Sequence, residues 1–524
     1  MPHLTWFITR STMMTVLVLI LLAVAPVVAQ PAQNAASDFR AIDTYIETQM
    51  RELRIPGLAI GIVEGDQIVH LKGFGIAGSD RRLVTPQTPF QIASIGKPMT
   101  AVAIMQLVEA GKLDLDAPVQ RYLPAFRVAD ETASAQITIR HLLYHTSGLP
   151  AAAGMEQAFS GDERADALEQ GVQALRSIQL NRPVGASYEY SNAGYSTLGL
   201  LIQEVSGQSY EAYMRAHLYR PLDMQQTYTD WTEARAHGAT SGYRYWFGVP
   251  MAGELPVNRA SLPAGAHTSA STEDVAHFLI AQLGGGRFNT TAILSPASIA
   301  EMQRPVPRTA DGAEFHAMGW DSVIPIGSTT TIVKGGASVD FNAMMILIPE
   351  RRLGLVVLMN ANKGLDSALG DQRLSRLPYN VAEMLLGQQP TAFPADPKPT
   401  LLYAILFLAV IVQAAGMAYT ALRLFGWKRR PRLRPQGSRA VALRLWLPLA
   451  LNLGWGMFAL VGVPTLFGVP LSFIRYIAPD FGTILAASGV VALSWGVVRT
   501  VVILRMLRVA QRQASVAHRT PVKA

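Results

Sequence analysis

The residue types with the clearest capacity for chemistry lie in residues 91–100, which read QIASIGKPMT. Ser94 and Lys97 are three residues apart in this segment, and an apolar stretch of helical character follows it. On a helix, residues three apart share one face, with Cβ atoms about 5–6 Å apart. A serine becomes a strong nucleophile when a base removes its proton or a cation lowers its pKa, and a helix N-terminus favours the resulting anion. We therefore predict that Ser94 is a nucleophile beside Lys97. Because a serine and a lysine three residues apart are a common pattern, this prediction also requires catalytic partners elsewhere in the sequence.

Two further motifs supply such partners. Tyr190 and Asn192 form a Y-x-N motif, and Lys334-Gly335-Gly336 leaves a predicted strand. In the order S-x-x-K, Y-x-N and K-G-G, the motifs resemble those of the serine β-lactamase and penicillin-binding-protein superfamily. The resemblance is greatest to its class C β-lactamase branch, which includes D-aminopeptidases and esterases and carries tyrosine in the second motif. It covers about residues 38–388 and includes the phrases HTSGLP, YSNAGY, PLDM and PAG, which begin at residues 145, 190, 221 and 263.

The resemblance implies a role for each motif residue. Ser94 would attack a carbonyl carbon to form an acyl-enzyme, and Lys97 would keep the local potential positive and share the serine proton. Tyr190 would be the general base in acylation, protonate the leaving group and activate water for deacylation. Its phenolate would be stabilised by Lys97 and Lys334. Asn192 would donate to the acyl-side amide of the substrate or hold Lys97.

The resemblance also implies an oxyanion hole made by two backbone N–H groups. These belong to Ser94 and to Ala337, the residue that follows Lys334, Gly335 and Gly336. Many members of this branch have histidine where this chain has Lys334.

Three more residues are candidates for lining the substrate pocket: His267, Asp340 and Asn342. Asp340 and Asn342 come just after the third motif and would either contact the substrate or cap a loop. His141 and His145 are expected to be structural, with backbone partners.

Several predicted elements must position these residues. Helical spacing predicts helices over residues 39–53, after Ser94, over 161–180 and over 198–219, and β-rich runs predict strands over 57–63, 67–73, 329–333, 343–348 and 354–359. Because strands lie at both ends and helices between them, we predict one sheet with an inserted helical lobe, a mixed α/β (α+β) architecture. The resemblance implies the antiparallel sheet of the β-lactamase/transpeptidase-like fold.

Composition narrows the classes of function. Apolar residues make up 50% and charged residues 16% of the 524, which is typical of proteins with membrane segments. Of the 45 lysines and arginines, 15 lie after residue 400, where there is only one of the 37 acidic residues. The net charge of +8 therefore belongs to the C-terminal part and does not indicate a nucleic-acid partner. With no cysteine, the chain has no disulfide, thiol catalyst or Cys-ligated metal, and we expect no metal or cofactor.

The N-terminus has the pattern of a secretory signal. Arg10 precedes an apolar stretch over residues 13–28 that ends in small residues. This predicts a signal peptide over residues 1–29, with an uncleaved anchor as the alternative. Either one places the hydrolase domain, residues 30–388, outside the cytoplasm.

The C-terminal part has the pattern of a membrane anchor. Residues 389–400 are a proline-rich linker, and apolar segments over 401–424, 441–466 and 481–504 are long enough to span a bilayer. Basic residues fill the 428–440 loop and follow the third span. The positive-inside rule then places this loop and the C-terminus in the cytoplasm. We predict a multi-pass protein of the cell membrane with an extracytoplasmic (periplasmic) catalytic domain.

Together these patterns predict a membrane-anchored serine hydrolase that acts through an acyl-Ser94 intermediate on amide, ester or lactam bonds, with D-amino-acid-containing peptides preferred. The enzymatic alternatives are a β-lactamase, an esterase and a D-asparaginyl prodrug-activating peptidase, which a catalytic lobe followed by three spans also resembles. A penicillin sensor that stays acylated is the other alternative, although the sequence has no H-E-x-x-H protease motif. The expected partners are a small-molecule or peptide substrate and the lipid bilayer. The natural substrate and the oligomeric state do not follow from the sequence.

Overall fold

A computed structural model describes residues 39–158, 161–253, 258–265, 268–309, 311–429 and 438–517. The predicted signal peptide, His267, most of the basic loop and the last seven residues lie outside the described residues.

The domain is built on an eight-stranded antiparallel sheet, in the order β2-β1-β14-β13-β12-β11-β10-β9. Its first two strands come from the N-terminal side of the domain and the other six from its C-terminal side, as predicted. The turn between β1 and β2 uses Gly65 at φ +63°, a conformation that glycine adopts without steric cost. The strands are β1 Gly57–Glu64, β2 Gln67–Gly75, β9 Val306–Pro307, β10 Phe315–Ala317, β11 Trp320–Ile326, β12 Thr329–Ala337, β13 Asn342–Ile348 and β14 Leu353–Met359.

Three small sheets make up the rest of the β-structure in the described part of the chain. In the largest, β4 lies between β5 and β15, and its pairing with β15 is parallel. Their bounds, with those of the two-stranded pairs β3·β6 and β7·β8, are β3 Phe90–Gln91, β4 Gly242–Trp246, β5 Val249–Gly253, β6 Ser269–Ala270, β7 Arg287–Phe288, β8 Thr291–Ala292 and β15 Ala361–Asn362.

The helical lobe lies in sequence between β2 and β9, with two largely buried helices, α2 and α7, at its centre. Helix α1 precedes the sheet, and α12 and α13 follow it. The helices are α1 Arg40–Leu53, α2 Lys97–Glu109, α3 Glu131–Gln136, α4 Ile139–Leu143, α5 Ala151–Ala158, α6 Ala167–Gln173, α7 Asn192–Ser206, α8 Tyr210–Met214, α9 Trp231–Ala236, α10 Thr272–Leu283, α11 Pro296–Gln303, α12 Gly364–Ala368 and α13 Arg373–Leu385.

Two predicted helices differ from the observed ones. The helix predicted over residues 161–180 is only α6 followed by a 3₁₀ turn, Ala174–Ser177. The helix predicted over 198–219 begins earlier, at Asn192, and ends at Ser206, where Gly207 at φ +71° forms a left-handed C-cap. Ser209 then caps α8 by accepting a hydrogen bond from the backbone N–H of Ala212.

Among the described residues, the C-terminal part contains three helices long and apolar enough to cross a membrane, judged by length and composition: Lys398–Trp427, Ala442–Phe467 and Pro479–Val509. Helix α14 begins at Lys398, so the last residues of the predicted linker are helical. The helices of this part are α14 Lys398–Arg429, α15 Ser438–Met457, α16 Val463–Phe467, α17 Leu471–Ile477 and α18 Pro479–Ala517, with a π-helical turn, Phe458–Gly462, joining α15 to α16.

Candidate active site

Ser94 lies in a 3₁₀ turn, Ala93–Gly96, rather than in the first turn of the α-helix, which begins at Lys97. The turn starts from Ala93 at φ +47°, a strained conformation for a residue with a side chain. Gly265 packs against it so closely that a Cβ there would lie 2.1 Å from the carbonyl oxygen of Ala93. Strained backbone held by close packing is a common feature of active sites, and here it presents a partly exposed serine.

The Ser94 hydroxyl has two side-chain partners. Its Oγ accepts hydrogen bonds from Lys97 Nζ at 3.0 Å and from the phenolic O–H of Tyr190 at 2.7 Å. The structure thus joins the first two motifs, which are 96 residues apart, at a single oxygen atom. Both partners are groups that transfer protons, so this oxygen has the surroundings that a nucleophile requires.

Lys97 is fully buried, and two further acceptors hold its ammonium group. Lys97 Nζ donates to Asn192 Oδ1 and to the carbonyl oxygen of Ala264, both at 2.8 Å. Asn192 therefore holds Lys97, which is one of its two predicted roles. Burial, reinforced by the positive charge of Lys334, places the pKa of Lys97 well below its usual range. Lys97 therefore loses its proton more easily than an exposed lysine does, and the neutral amine that results can accept a proton.

His145 positions Tyr190 by holding the residues on either side of it. Its carbonyl oxygen accepts from the backbone N–H of Glu189 at 2.8 Å, and its Nδ1 accepts from the N–H of Ser191 at 3.1 Å. The imidazole also packs on the Tyr190 ring, with 4.6 Å between ring centroids. Burial, with the nearby cations Lys334 and Lys97, lowers the pKa of His145 well below its usual range. A neutral ring can accept the Ser191 hydrogen bond, so the predicted structural role is the one observed.

The Tyr190 phenol is in surroundings that favour its protonated form. Burial and then the carboxylate of Asp321 raise its pKa, and the hydrogen bond to Ser94 only partly opposes this. The ammonium groups of Lys97 and Lys334 lie over the ring, 4.8 Å and 5.0 Å from its centroid.

Asp321 is a site residue that the sequence analysis missed. Its Oδ1 accepts from Lys334 Nζ at 2.5 Å, and its Oδ2 accepts from the Gly335 N–H at 3.0 Å. The register of β11 and β12 pairs Ser322 with Val333, which places Asp321 across from Lys334. Aligning the two β-rich runs around the Gly327 turn would have revealed this opposite-charge pair.

The end of β12 lies against the Ser94 turn. A Cβ on Gly336 would be 2.4 Å from the Ile92 carbonyl oxygen and 3.2 Å from the Ser94 backbone nitrogen. Only glycine allows this close approach. The next residue is the exposed Ala337, so its backbone follows directly from this contact.

Of the three candidate pocket residues, two are described. Both carboxylate oxygens of the fully buried Asp340 accept hydrogen bonds from Arg244, at 2.7 Å each. Asp340 is thus part of an internal ion pair rather than available to a substrate, because its oxygens already have a cationic partner. Asn342 pairs with Ala337 across β12 and β13, and His267 lies outside the described residues. Among the described residues, no group of three or more His, Asp or Glu side chains could hold a metal ion.

Comparison with known proteins agrees with this geometry. The model of the beta-lactamase family matches residues 42–378, which is more than half of the chain. The chain belongs to the beta-lactamase family. Members with this fold are serine hydrolases, which confirms the expected superfamily and class of enzyme.

Individual proteins and solved structures are similar to this chain over half or more of its length. It is 28% identical to protein flp of Staphylococcus aureus strain MW2, over 78% of this chain and 79% of that protein. It is 32% identical to penicillin-binding protein 4 of Amycolatopsis lactamdurans, over 51% of this chain and 70% of that protein. The octameric penicillin-binding protein homologue from Pyrococcus abyssi superposes with a TM-score of 0.56 at 26% identity, covering 67% of this chain and 78% of that one.

Proposed function

We propose that this beta-lactamase family member is a membrane-anchored, extracytoplasmic hydrolase that forms an acyl-Ser94 intermediate. Its substrates are amides, esters or lactams, with D-amino-acid-containing peptides as the preferred class. The observation that carries the proposal is that Ser94 Oγ is hydrogen-bonded both to a buried lysine and to a buried tyrosine.

In this mechanism Lys97, rather than Tyr190, is the base in acylation. Burial and Lys334 lower the pKa of Lys97, which makes its neutral amine accessible, whereas burial and Asp321 raise the pKa of Tyr190 and disfavour its phenolate. Lys97 accepts the Ser94 proton as Oγ attacks the carbonyl carbon. The backbone N–H groups of Ser94 and Ala337 stabilise the resulting oxyanion.

Tyr190 then acts as the acid. It donates its phenolic proton to the departing nitrogen or oxygen as the bond to the leaving group breaks, and the proton on Lys97 restores the phenol. For deacylation, the neutral Lys97 accepts a proton from water, which attacks the acyl carbonyl. Ser94 leaves with a proton from Tyr190, and Lys97 again restores the phenol, so each turnover returns the site to its starting protonation state.

The pair of Asp321 and Lys334 bears on the choice of substrate. A lysine beside the nucleophile would bind a substrate carboxylate, but in this site Asp321 already compensates its charge. The proposed preference is therefore for peptides whose group at this position is an amide or ester rather than a free carboxylate. An esterase is the second candidate, because the ion pair of Asp321 and Lys334 has no net charge and so also suits ester substrates.

The proposed anchoring rests on the three long apolar helices together with the sequence pattern around them. The basic residues after the first and third spans support a cytoplasmic C-terminus, and the N-terminal apolar stretch supports export of the domain.

Time-resolved intact mass spectrometry of the full-length protein in detergent tests the chemistry. The acyl donors are a penicillin, a p-nitrophenyl ester and an N-acyl-D-amino-acid amide. We expect an adduct that forms and decays while product accumulates, and no adduct with Ser94→Ala at an unchanged melting temperature. An adduct that persists with every donor would support the sensor instead. Labelling of Ser94→Ala, or no adduct and no product from any donor, would contradict the proposal.

A further inference from the structure

The hairpin formed by β4 and β5 exposes an unusual number of large apolar side chains at its tip. Trp246, Phe247, Val249 and Met251 have exposed fractions of 39%, 52%, 49% and 50%. Single exposed apolar residues are common on protein surfaces, but a contiguous group marks a surface that binds a membrane, another protein or a ligand. We call residues 246–251 the hairpin tip.

The hairpin tip is attached to two of the apolar helices. The Phe247 ring packs on Tyr403 and Phe407 of α14, with centroid distances of 6.2 and 5.8 Å. The backbone N–H of Phe247 donates to Asp480 Oδ2 at 2.7 Å, and the Tyr403 hydroxyl donates to the same oxygen at 2.9 Å. Asp480 is in the first turn of α18 and is buried. The tip is therefore held at the beginning of both helices.

The position of this contact along α14 sets the depth of the tip. The apolar run of α14 begins at Leu401, and Phe407 is about 9 Å further along the helix axis at 1.5 Å per residue. The surrounding face of α14 is exposed and apolar at Ile405 and Leu408. Because Phe247 packs on this segment of α14, a bilayer that covers the exposed face also reaches the hairpin tip.

The polar groups around the hairpin tip also suit the boundary between lipid and water. Arg54 donates to the Gly248 carbonyl oxygen at 3.0 Å, which places an exposed cation at the turn of the hairpin. Tryptophan and tyrosine beside basic side chains are typical of the interface between lipid and water. A lipid surface satisfies both the apolar side chains and the cation.

We propose that the hairpin tip inserts into the outer interfacial layer of the bilayer and holds the catalytic domain in one orientation on the membrane. This rests on the membrane anchoring in the proposed function. The insertion bears on the active site because β4 also carries Arg244, whose partner Asp340 comes three residues after Ala337.

Single-cysteine labelling of the full-length protein tests this insertion, because the chain has no cysteine of its own. Val249→Cys and Met251→Cys, two residues apart on one face of β5, would each carry an environment-sensitive nitrobenzoxadiazole dye. The proteins are reconstituted in phosphatidylcholine vesicles with or without nitroxide-labelled lipid. We expect blue-shifted emission and at least twofold quenching by the nitroxide at both positions.

Two matched controls separate the possible failures. Ala135→Cys is exposed on α3 of the helical lobe and should be unquenched, whereas Leu408→Cys is on the exposed face of α14 and should be strongly quenched. If the dyes at 249 and 251 were quenched no more than the dye at 135 while the dye at 408 was quenched, the insertion would be overturned. The anchoring would remain intact. An unquenched dye at 408 would reject the anchoring and the insertion with it. If the blue shift at 249 and 251 disappeared when each vesicle held one protein molecule, the tip would contact a second copy of the protein. That result would also overturn the insertion.

Discussion

Lys97 depends on its surroundings for its proposed chemistry. A lysine exposed to water is protonated near neutral pH and cannot accept a proton. Here the side chain is fully buried, with acceptors from Asn192 and Ala264 orienting Nζ toward Ser94. Burial lowers the pKa of Lys97, and the nearby Lys334 lowers it further. Because deprotonation of Lys97 creates the base, we expect the acylation rate to rise with pH, and the lowered pKa of Lys97 makes this base available.

Asp321 is the residue whose replacement most directly tests the proposed selectivity. Asp321→Asn removes the carboxylate that compensates Lys334, so the ammonium becomes available to a substrate carboxylate. We expect kcat/KM for an N-acyl-D-alanyl-D-alanine with a free carboxylate to rise about tenfold relative to its C-terminal amide, which corresponds to about 1.4 kcal/mol. Steady-state kinetics on this matched pair of substrates measures the ratio.

The control for Asp321→Asn is Asp116→Asn, which removes a largely exposed carboxylate from its pair with Arg140. It should leave the ratio unchanged. If Asp321→Asn changed kcat/KM for both substrates by the same factor, Asp321 would only support the strand, and the proposed selectivity would be wrong.

Among the elements, the contact between β12 and the Ser94 turn has the greatest effect on the geometry. The two backbone segments approach each other at Gly336, where no Cβ can be accommodated beside the Ile92 carbonyl. Ala337 is the next residue, so a shift of β12 at Gly336 would also move the backbone N–H that is proposed to form the oxyanion hole with that of Ser94.

Replacement of Gly336 by alanine tests the importance of this contact. The added Cβ would lie 2.4 Å from the Ile92 oxygen, so β12 must move away from the Ser94 turn. We expect the acylation rate to fall by about 10²-fold or more, the usual effect of losing one oxyanion donor. Stopped-flow acylation with a p-nitrophenyl ester measures the rate.

Gly335→Ala is the matched control for Gly336→Ala, because the nearest atom to its Cβ would be Asp321 Oδ2 at an ordinary 3.6 Å. It should retain most of the acylation rate. Similar losses in the two variants, or losses that follow the melting temperature alone, would show that the glycines matter only for folding.

In the molecule as a whole, the catalytic domain and the apolar helices share buried contacts. Leu365 of α12 belongs to a cluster with Leu406 of α14 and with Ile474 and Phe481 near the start of α18. Arg244 donates to the carbonyl oxygen of Tyr476 and lies over its ring. Contacts of this kind indicate a domain seated on the helices rather than one tethered only by its linker.

Asp480→Ala should loosen this arrangement. It leaves the part-buried N–H of Phe247 and hydroxyl of Tyr403 without their common acceptor, whereas a fully buried unsatisfied group would cost about 1–3 kcal/mol. We expect a lower melting temperature in nanodiscs and faster hydrogen exchange in residues 244–250, measured by mass spectrometry. Asp480→Asn keeps an acceptor oxygen and should show a smaller effect. Unchanged exchange in Asp480→Ala would contradict the role of Asp480 in docking.

The sequence alone determined the parts of this protein that depend on local pattern. The antiparallel pairing of the sheet came only from the resemblance to a known superfamily, but the three motifs, the single sheet with its inserted helical lobe and the long apolar helices were predictable from the residues. Each depends on side-chain periodicity, turn residues or spacing over a few residues, and Ser94, Lys97 and Tyr190 do come together. The ends of the helices after residue 160 were wrong because caps such as Gly207 override helical periodicity.

Only the tertiary structure decided which distant groups meet. Asp340 was a candidate for the pocket until Arg244, 96 residues away, proved to be its partner, and Phe247 meets Asp480 across 233 residues. The hold of His145 on Tyr190 and the charge partner of Lys334 also depend on tertiary packing and strand register. Burial and neighbouring charges set the protonation of Lys97 and Tyr190, and both arise only when the chain is folded.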